Sequence, residues 1–293
     1  MKYAVIDLGT NTIRLCIYQN TEQGRKLLLN QRVMALLGSK VVNGALSEEG
    51  IRTASDALNL LQTVAKEQNA EEILVFATAA LRNISNTEIA VQTISKETGL
   101  TIDILSGEEE AELTFLGATE SCHIEDGLIA DIGGGSTELI LVKDGKPVRS
   151  ESFAIGSLTG FVRFVHRRPA EREHIDELRA YVRSIIREKF PEASSARVLY
   201  GIGGAARTAY ELEKILYPSS GGAIQTLQML LYRLLDDEKL AEKTILAASP
   251  DRLDTALPGT AILCEVAELF GCKKLDICKG GVREGYISRK MKA

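Results

Sequence analysis

With 293 residues, 45% of them hydrophobic, the chain has material for two ordinary domains, each burying a core of its own. No apolar run approaches the roughly 20 residues that span a bilayer, and Asp7 interrupts the N-terminal apolar stretch too early for a secretion signal, so a cytoplasmic protein without membrane contact is expected. A formal net charge of -5 argues against a nucleic-acid coat, and five cysteines (Cys16, Cys122, Cys264, Cys272, Cys278) with no C-x-x-C pair read as reduced, mostly buried thiols.

In chain order, residues 3–19 read as an apolar strand, a tight polar turn (Asp7-Leu8-Gly9-Thr10-Asn11-Thr12) and an alternating strand, with a third strand at 26–34. A long helix is predicted from Ser47, its cap, to about Asn69, with Ile51, Ala54, Leu58, Leu61 and Ala65 as its apolar stripe. Then follow a strand at 72–77, a helix at 86–98 ended by Gly99, a strand at 101–105 and a helix from Gly107 to about Gly117. Residues 127–143 repeat the opening hairpin at a constant offset of 124: Asp131 matches Asp7, Gly133 matches Gly9, Ser136 matches Thr12 and Leu139 matches Leu15. A third strand is predicted at 147–153, then helices near 171–189, 204–215, 225–247 and 259–270, with strands at 197–201 and 273–278. This alternation predicts an α/β class in two halves of similar plan, divided as 1–124 and 125–293, with the last helix packing back on the first half.

Consecutive glycines in Gly133-Gly134-Gly135-Ser136 let backbone N–H groups turn inward around an anion, although a plain hairpin turn favours Gly-Gly too. The matching turn, Gly9-Thr10-Asn11-Thr12, makes a pair of loops that could face each other across a cleft, each bringing one carboxylate, Asp7 and Asp131, for a metal ion. With three histidines in no metal-binding spacing, a hard cation on oxygen ligands is expected, Mg2+ above all. Gly203 and Gly204 open a helix after a strand, where an anion or plain helix packing would account for them equally. Arg82 follows a strand and could fork onto a phosphate or serve a surface ion pair. Glu108, Glu109 and Glu110 sit in the first turn of a helix, where the macrodipole favours them; one could orient a water for attack on phosphorus, and spacing does not say which.

Five segments taken in order, Ile-Asp-Leu-Gly-Thr-Asn-Thr-Ile-Arg-Leu, Ala-Thr-Ala-Ala-Leu-Arg-Asn, Ser-Gly-Glu-Glu-Glu-Ala-Glu-Leu, Asp-Ile-Gly-Gly-Gly-Ser-Thr-Glu and Gly-Gly-Val-Arg-Glu-Gly, resemble the exopolyphosphatase / guanosine pentaphosphate phosphohydrolase family across residues 4–285. The resemblance implies a duplicated acetate-and-sugar-kinase/Hsp70/actin (RNase H-like) fold with a central cleft. It also implies Mg2+-dependent phosphoanhydride hydrolysis, with inorganic polyphosphate or guanosine pentaphosphate as substrate. Carried over by motif position, Glu110 corresponds to the catalytic base, Asp131 and Glu138 to acidic residues around the metal and the nucleophilic water, Gly133 to Ser136 and Asn11 to phosphate-loop positions, and Arg82 to an arginine near the phosphates. Asn83 stands where the family often has Asp, and Thr10 and Thr12 where it usually has serines. The chain resembles the short, two-domain form of the family.

Two other readings compete: a phosphotransferase of the same architecture, with the Gly201 to Gly204 loop on a nucleoside, and a non-catalytic phosphate or nucleotide sensor. Glu110, Asp131 and Glu138 favour catalysis, since a sensor needs donors but no water-activating carboxylate. Oligomeric state is left open, a homodimer included. The dense basic stretches, Arg163 to Arg172 and Lys273, Lys274, Lys279 and Arg283, would make only a short track for a polyanion, so short polyphosphate chains are the expected preference.

Overall fold

The structure, a computed structural model, describes residues 1–22, 24–191 and 195–292. It divides into two compact units, Met1–Gly107 and Glu108–Ala293. The boundary expected at 124 falls inside the second unit, because the helix before it packs there.

In the first unit β1 (Lys2–Leu8), β2 (Thr12–Thr21) and β3 (Gly24–Met34) form an antiparallel meander, followed by a 3-10 turn at Leu37–Lys40 and the small pair β4 (Val41–Val42) and β5 (Ala45–Leu46). Next come α1 (Glu48–Glu67), β6 (Glu72–Ala77), α2 (Ala79–Arg82), α3 (Thr87–Thr98) and β7 (Asp103–Ile104). The sheet order is β3-β2-β1-β6-β7, with β6 and β7 parallel to β1. Ser47 caps α1 by accepting from the Gly50 N–H at 3.1 Å, and Gly99 ends α3 in the left-handed region at φ 72. The strand predicted over 101–105 shrinks to two residues.

The second unit opens with α4 (Gly107–Thr119), whose first residue is the last of the first unit. It continues with β8 (Gly127–Ile132), β9 (Thr137–Lys143), β10 (Lys146–Phe153), α5 (Ser157–Gly160) and a π-turn at Phe161–Val165. After these come α6 (Arg172–Lys189), β11 (Val198–Ile202), α7 (Gly203–Leu216), α8 (Ile224–Asp236), α9 (Glu238–Ala248), α10 (Ala256–Leu269), β12 (Lys274–Ile277) and α11 (Val282–Lys292). The order β10-β9-β8-β11-β12 repeats the first sheet strand for strand. The same five-stranded plan is thus present twice, as the 124-residue repeat implied. The single helix predicted at 225–247 is two, because Asp237 leaves helical geometry and caps α9 through the Leu240 N–H at 3.0 Å.

The cysteine expectation is corrected. Cys122 and Cys278 form a disulfide, with Cα atoms 5.9 Å apart, while Cys16, Cys264 and Cys272 are free and buried. The partners are 156 residues apart in sequence; only the fold, which ends β12 beside the turn after α4, brings them together. Among the described residues no helix is long and apolar enough to cross a membrane.

Candidate active site

Strand alternation decides what shares a face with what. Leu128, Ala130 and Ile132 of β8, with Leu139 and Leu141 of β9, point into the large core shared with α6, α7, α8 and α10. Ile129, Ile140 and Val142 point the other way, into a smaller cluster with Ala111 and Ala118 of α4. Asp131 and Glu138 have the second parity and are direct cross-strand partners, so both lie on the α4 side of the sheet. On α4 the buried residues Glu110, Leu113, Thr114, Gly117 and Ala118 recur at helical spacing. That singles out one of the three glutamates: Glu108 is exposed, Glu109 lies 3.6 Å from Arg289, and Glu110 is only 7% exposed.

Electrostatics confirm the convergence of these three carboxylates. Burial pushes the Glu138 carboxyl well above the usual carboxylate range, and the negative charges of Glu110 and then Asp131 push it further. Hydrogen bonds from the Ser152 and Ser136 hydroxyls act against this, Ser152 Oγ donating to Glu138 Oε1 at 2.8 Å. The Ser136 side chain is thus directed at Glu138, whatever its backbone does in the loop.

Four glycines explain how α4 comes so close. Gly117 of α4 lies directly on the Gly281 carbonyl, Gly280 lies on the Gly117 carbonyl, and Gly285 of α11 lies on the Leu113 carbonyl, each with no room for a Cβ. The same segment reaches the site, since a Cβ on Gly281 would sit 3.7 Å from Asp131 Oδ2. On the other side of that carboxylate, a Cβ on Gly203 would sit 2.5 Å from Asp131 Oδ1. Gly203, at φ +79, therefore packs against Asp131, and Gly204 is covered by the guanidinium of Arg252. Arg252 is 9% exposed, and no sequence motif marked it.

The two loops are built alike. In the second unit the Gly133 N–H closes the turn on the Ser136 carbonyl at 2.9 Å. The Gly133 carbonyl then accepts from the Ser157 N–H, and the Gly134 carbonyl from the Leu158 and Thr159 N–H groups at the start of α5. A trans peptide sets its N–H opposite its carbonyl, so the Gly134 and Gly135 N–H groups point away from α5. They form the kind of backbone nest that receives an oxyanion. In the first unit the Gly9 N–H closes on the Thr12 carbonyl at 3.2 Å, the Thr10 carbonyl accepts from Gly38, and the Asn11 carbonyl from Ala35 and Leu36. There the N–H groups of Asn11 and Thr12 are the ones turned outward. Both polar atoms of the Asn11 side chain are buried without a hydrogen-bond partner, in a residue 6% exposed, which marks this loop as built for something further.

Within the first unit, Asp7 stands across from Arg14, and Arg82 Nη1 donates to the Leu105 carbonyl at 2.9 Å. In the basic stretch of the second unit, Arg167 pairs with Glu171, Arg168 with Asp254 and Arg172 with Asp236. Those cations already face carboxylates.

As a metal site the carboxylates are an open donor set. Among the described residues no three His, Cys, Asp or Glu side chains are grouped to hold an ion by themselves. Yet three mutually repelling hard-oxygen donors are what a hard cation relieves, and Mg2+ commonly takes one or two carboxylates and completes its shell with water and phosphate oxygens.

The sequence profile of the Ppx/GppA phosphatase family matches residues 16–293. The guanosine-5'-triphosphate,3'-diphosphate pyrophosphatases of Pseudoalteromonas translucida and Photobacterium profundum are each 27% identical to this chain, over 97% and 99% of it. It spans 58% and 59% of their length. Among solved structures, an exopolyphosphatase from Cytophaga hutchinsonii superposes with a TM-score of 0.86 at 22% identity, covering 100% of this chain and 98% of that one. A Ppx/GppA family member from Aquifex aeolicus gives 0.78 at 24% identity, with the same coverage. These two superpositions establish the fold.

Proposed function

Because the chain belongs to the Ppx/GppA phosphatase family, we propose that it is a phosphoanhydride hydrolase that releases the terminal phosphate of inorganic polyphosphate, with guanosine pentaphosphate as a second substrate. One observation carries the reading: the mutually repelling trio of buried Glu110 and Glu138 and half-buried Asp131 on one face of the second sheet, at the root of the Gly133 to Ser136 nest. Carboxylates held this close to one another, with a carboxyl pushed up by its neighbours, are characteristic of functional sites.

In the proposed mechanism Glu110 accepts the proton of the attacking water, while Glu138, held by Ser152, orients that water. The Gly134 and Gly135 N–H groups receive the oxygens of the phosphoryl group as charge develops on them. Asp131 would hold Mg2+, and Asp7 would be the second candidate ligand. When bound, the ion supplies neutralisation of charge on the phosphate oxygens. Gly9, Thr10, Asn11 and Thr12, together with Arg82, contact further phosphates, and Gly203 and Gly204 support the site by their packing on Asp131 and Arg252. Since the basic stretch of the second unit is largely matched by carboxylates, short chains are the preferred polyphosphate substrate. We place the enzyme in the cytoplasm, with no nucleic-acid or membrane partner.

The test measures free phosphate released from short and long polyphosphate, from guanosine pentaphosphate, and from ATP with hydroxyl acceptors, with and without Mg2+. Release from the first two and not from ATP is expected. Transfer to an acceptor would make the protein a phosphotransferase, and binding without release would make it a sensor.

A further inference from the structure

The disulfide sits at the far end of the helix that carries Glu110. Cys122 follows α4 by three residues and Cys278 follows β12 directly. Next to them, Ser121 Oγ accepts from the Lys279 N–H at 3.2 Å and from the Gly280 N–H at 3.0 Å. From there the backbone runs into Gly280, Gly281 and Gly285, the seat of α4, and Gly281 borders Asp131. The bond thus ties α4 to the segment that positions it against the Asp131 and Glu138 face. The disulfide is the covalent tie in that seat, beside the backbone approaches of the glycines and two partly exposed side-chain pairs, Ser288 with Glu120 and Arg289 with Glu109.

We infer that the Cys122–Cys278 pair is a redox-operated brace that sets the position of α4, and with it Glu110, so that turnover is high when the bond is formed and low when it is open. This rests on the hydrolase reading above for its effect on turnover, though not for its effect on α4. Disulfides in cytoplasmic proteins are in most cases transient or redox-sensing rather than structural, which suits a bond placed at a functional helix. Cys278 is fully buried and Cys122 half-buried, so Cys122 is the sulfur a small thiol or disulfide reaches first. Closure is thiol–disulfide exchange with a low-molecular-weight disulfide. The Cys122 thiolate, having given its proton to solvent, attacks one sulfur of that disulfide and releases one thiol. The Cys278 thiolate then attacks the Cys122 sulfur of the mixed disulfide and releases the second, so two protein thiols are oxidised as one small disulfide is reduced to two thiols. Opening is the reverse, with a small thiol as reductant.

The experiment equilibrates the full chain in glutathione buffers of graded ratio. At each point it counts alkylatable thiols by intact mass, measures kcat and KM for phosphate release, and follows amide exchange across residues 107–119. With the bond open, a fall in kcat of about tenfold is expected, the scale of a small displacement of a catalytic group, with KM little changed and exchange in α4 faster. Cys122→Ser, which substitutes the less buried partner, should show the low kcat at every ratio. Equal kcat and equal α4 exchange in the two forms, while mass shows the bond opening and closing, would overturn the brace, as would a pair that stays reduced at every ratio. If no substrate is hydrolysed in either form, the hydrolase reading fails, and the exchange of α4 decides the brace alone.

Discussion

Asp7 and Asp131 occupy the same place in two copies of one hairpin, yet the residues across from them carry opposite signs: Arg14 in the first unit and Glu138 in the second. The next strand continues the contrast, with Arg32 beside Arg14 and Ser152 beside Glu138. Opposite charges across a strand pair are favourable and like charges are not. The first unit therefore shows that this scaffold accommodates a balanced pair at these positions without difficulty. The second unit forgoes it and holds three carboxylates together under α4. On the proposed reading, the difference assigns anion contacts to the first unit's row, and the cation and the water to the second unit's row.

The largest effect should come from Glu110→Gln, which keeps shape and removes the proposed base: a loss of about 10²- to 10⁴-fold in kcat with the fold intact. Near-normal activity in a folded variant would move the base to Glu108, Glu109 or Glu138. Next, Asp131→Asn should raise the half-saturating Mg2+ concentration by roughly tenfold or more, an amide being a poor ligand for a hard cation. Asp7→Asn should raise it less, because Arg14 already stands across from Asp7. Equal shifts from the two variants would break the comparison and make the aspartates equivalent ligands.

A smaller effect concerns stability. The Glu138 carboxyl is raised in the folded state by burial and by Glu110 and Asp131. Its favourable contribution is complete below the unfolded-state value of about 4.3 and is lost as pH rises through the folded-state value. In metal-free buffer Glu138→Gln should therefore gain stability over the parent as pH is raised from about 4 to about 8, by a melting shift of about 2–4 °C, what ~1 kcal/mol produces in a domain of this size. Calorimetry at both pH values checks it; a gain independent of pH would mean that the charge is not what strains the site. The smallest effect is that of Glu109→Gln, whose partner Arg289 lies at the surface. Activity should be unchanged and stability altered by less than ~1 kcal/mol.

Much of this was legible in the sequence, for identifiable reasons. The hairpin repeat is written in residues whose type the turn and the strand parity demand, so the offset of Asp7 and Asp131 carried over into two matching sheets. The choice of Glu110 over its neighbours was open to the same reasoning: it shares its helical face with Leu113, Thr114, Gly117 and Ala118, a periodicity that the macrodipole argument for the whole cluster obscured. The break at Asp237 was readable as a cap, but the apolar spacing on either side is continuous enough to hide it. The disulfide and the cover of Arg252 over Gly204 were not legible, since each depends on segments far apart in sequence meeting in space.

The glycine loop of the second unit also bears on which residues the protein can change over evolutionary time. Its shape is held by main-chain bonds from the start of α5, and the residue where those strands of backbone touch is Gly156, outside the loop. A Cβ there would fall 2.6 Å from the Gly134 carbonyl carbon and 2.7 Å from the Gly133 and Gly134 oxygens. Any side chain at position 156 would force the loop and α5 apart and turn the nest out of register. Position 156 is thus intolerant of drift for the sake of a loop 20 residues earlier, and a scan of tolerated substitutions would find the loop's signature displaced onto it.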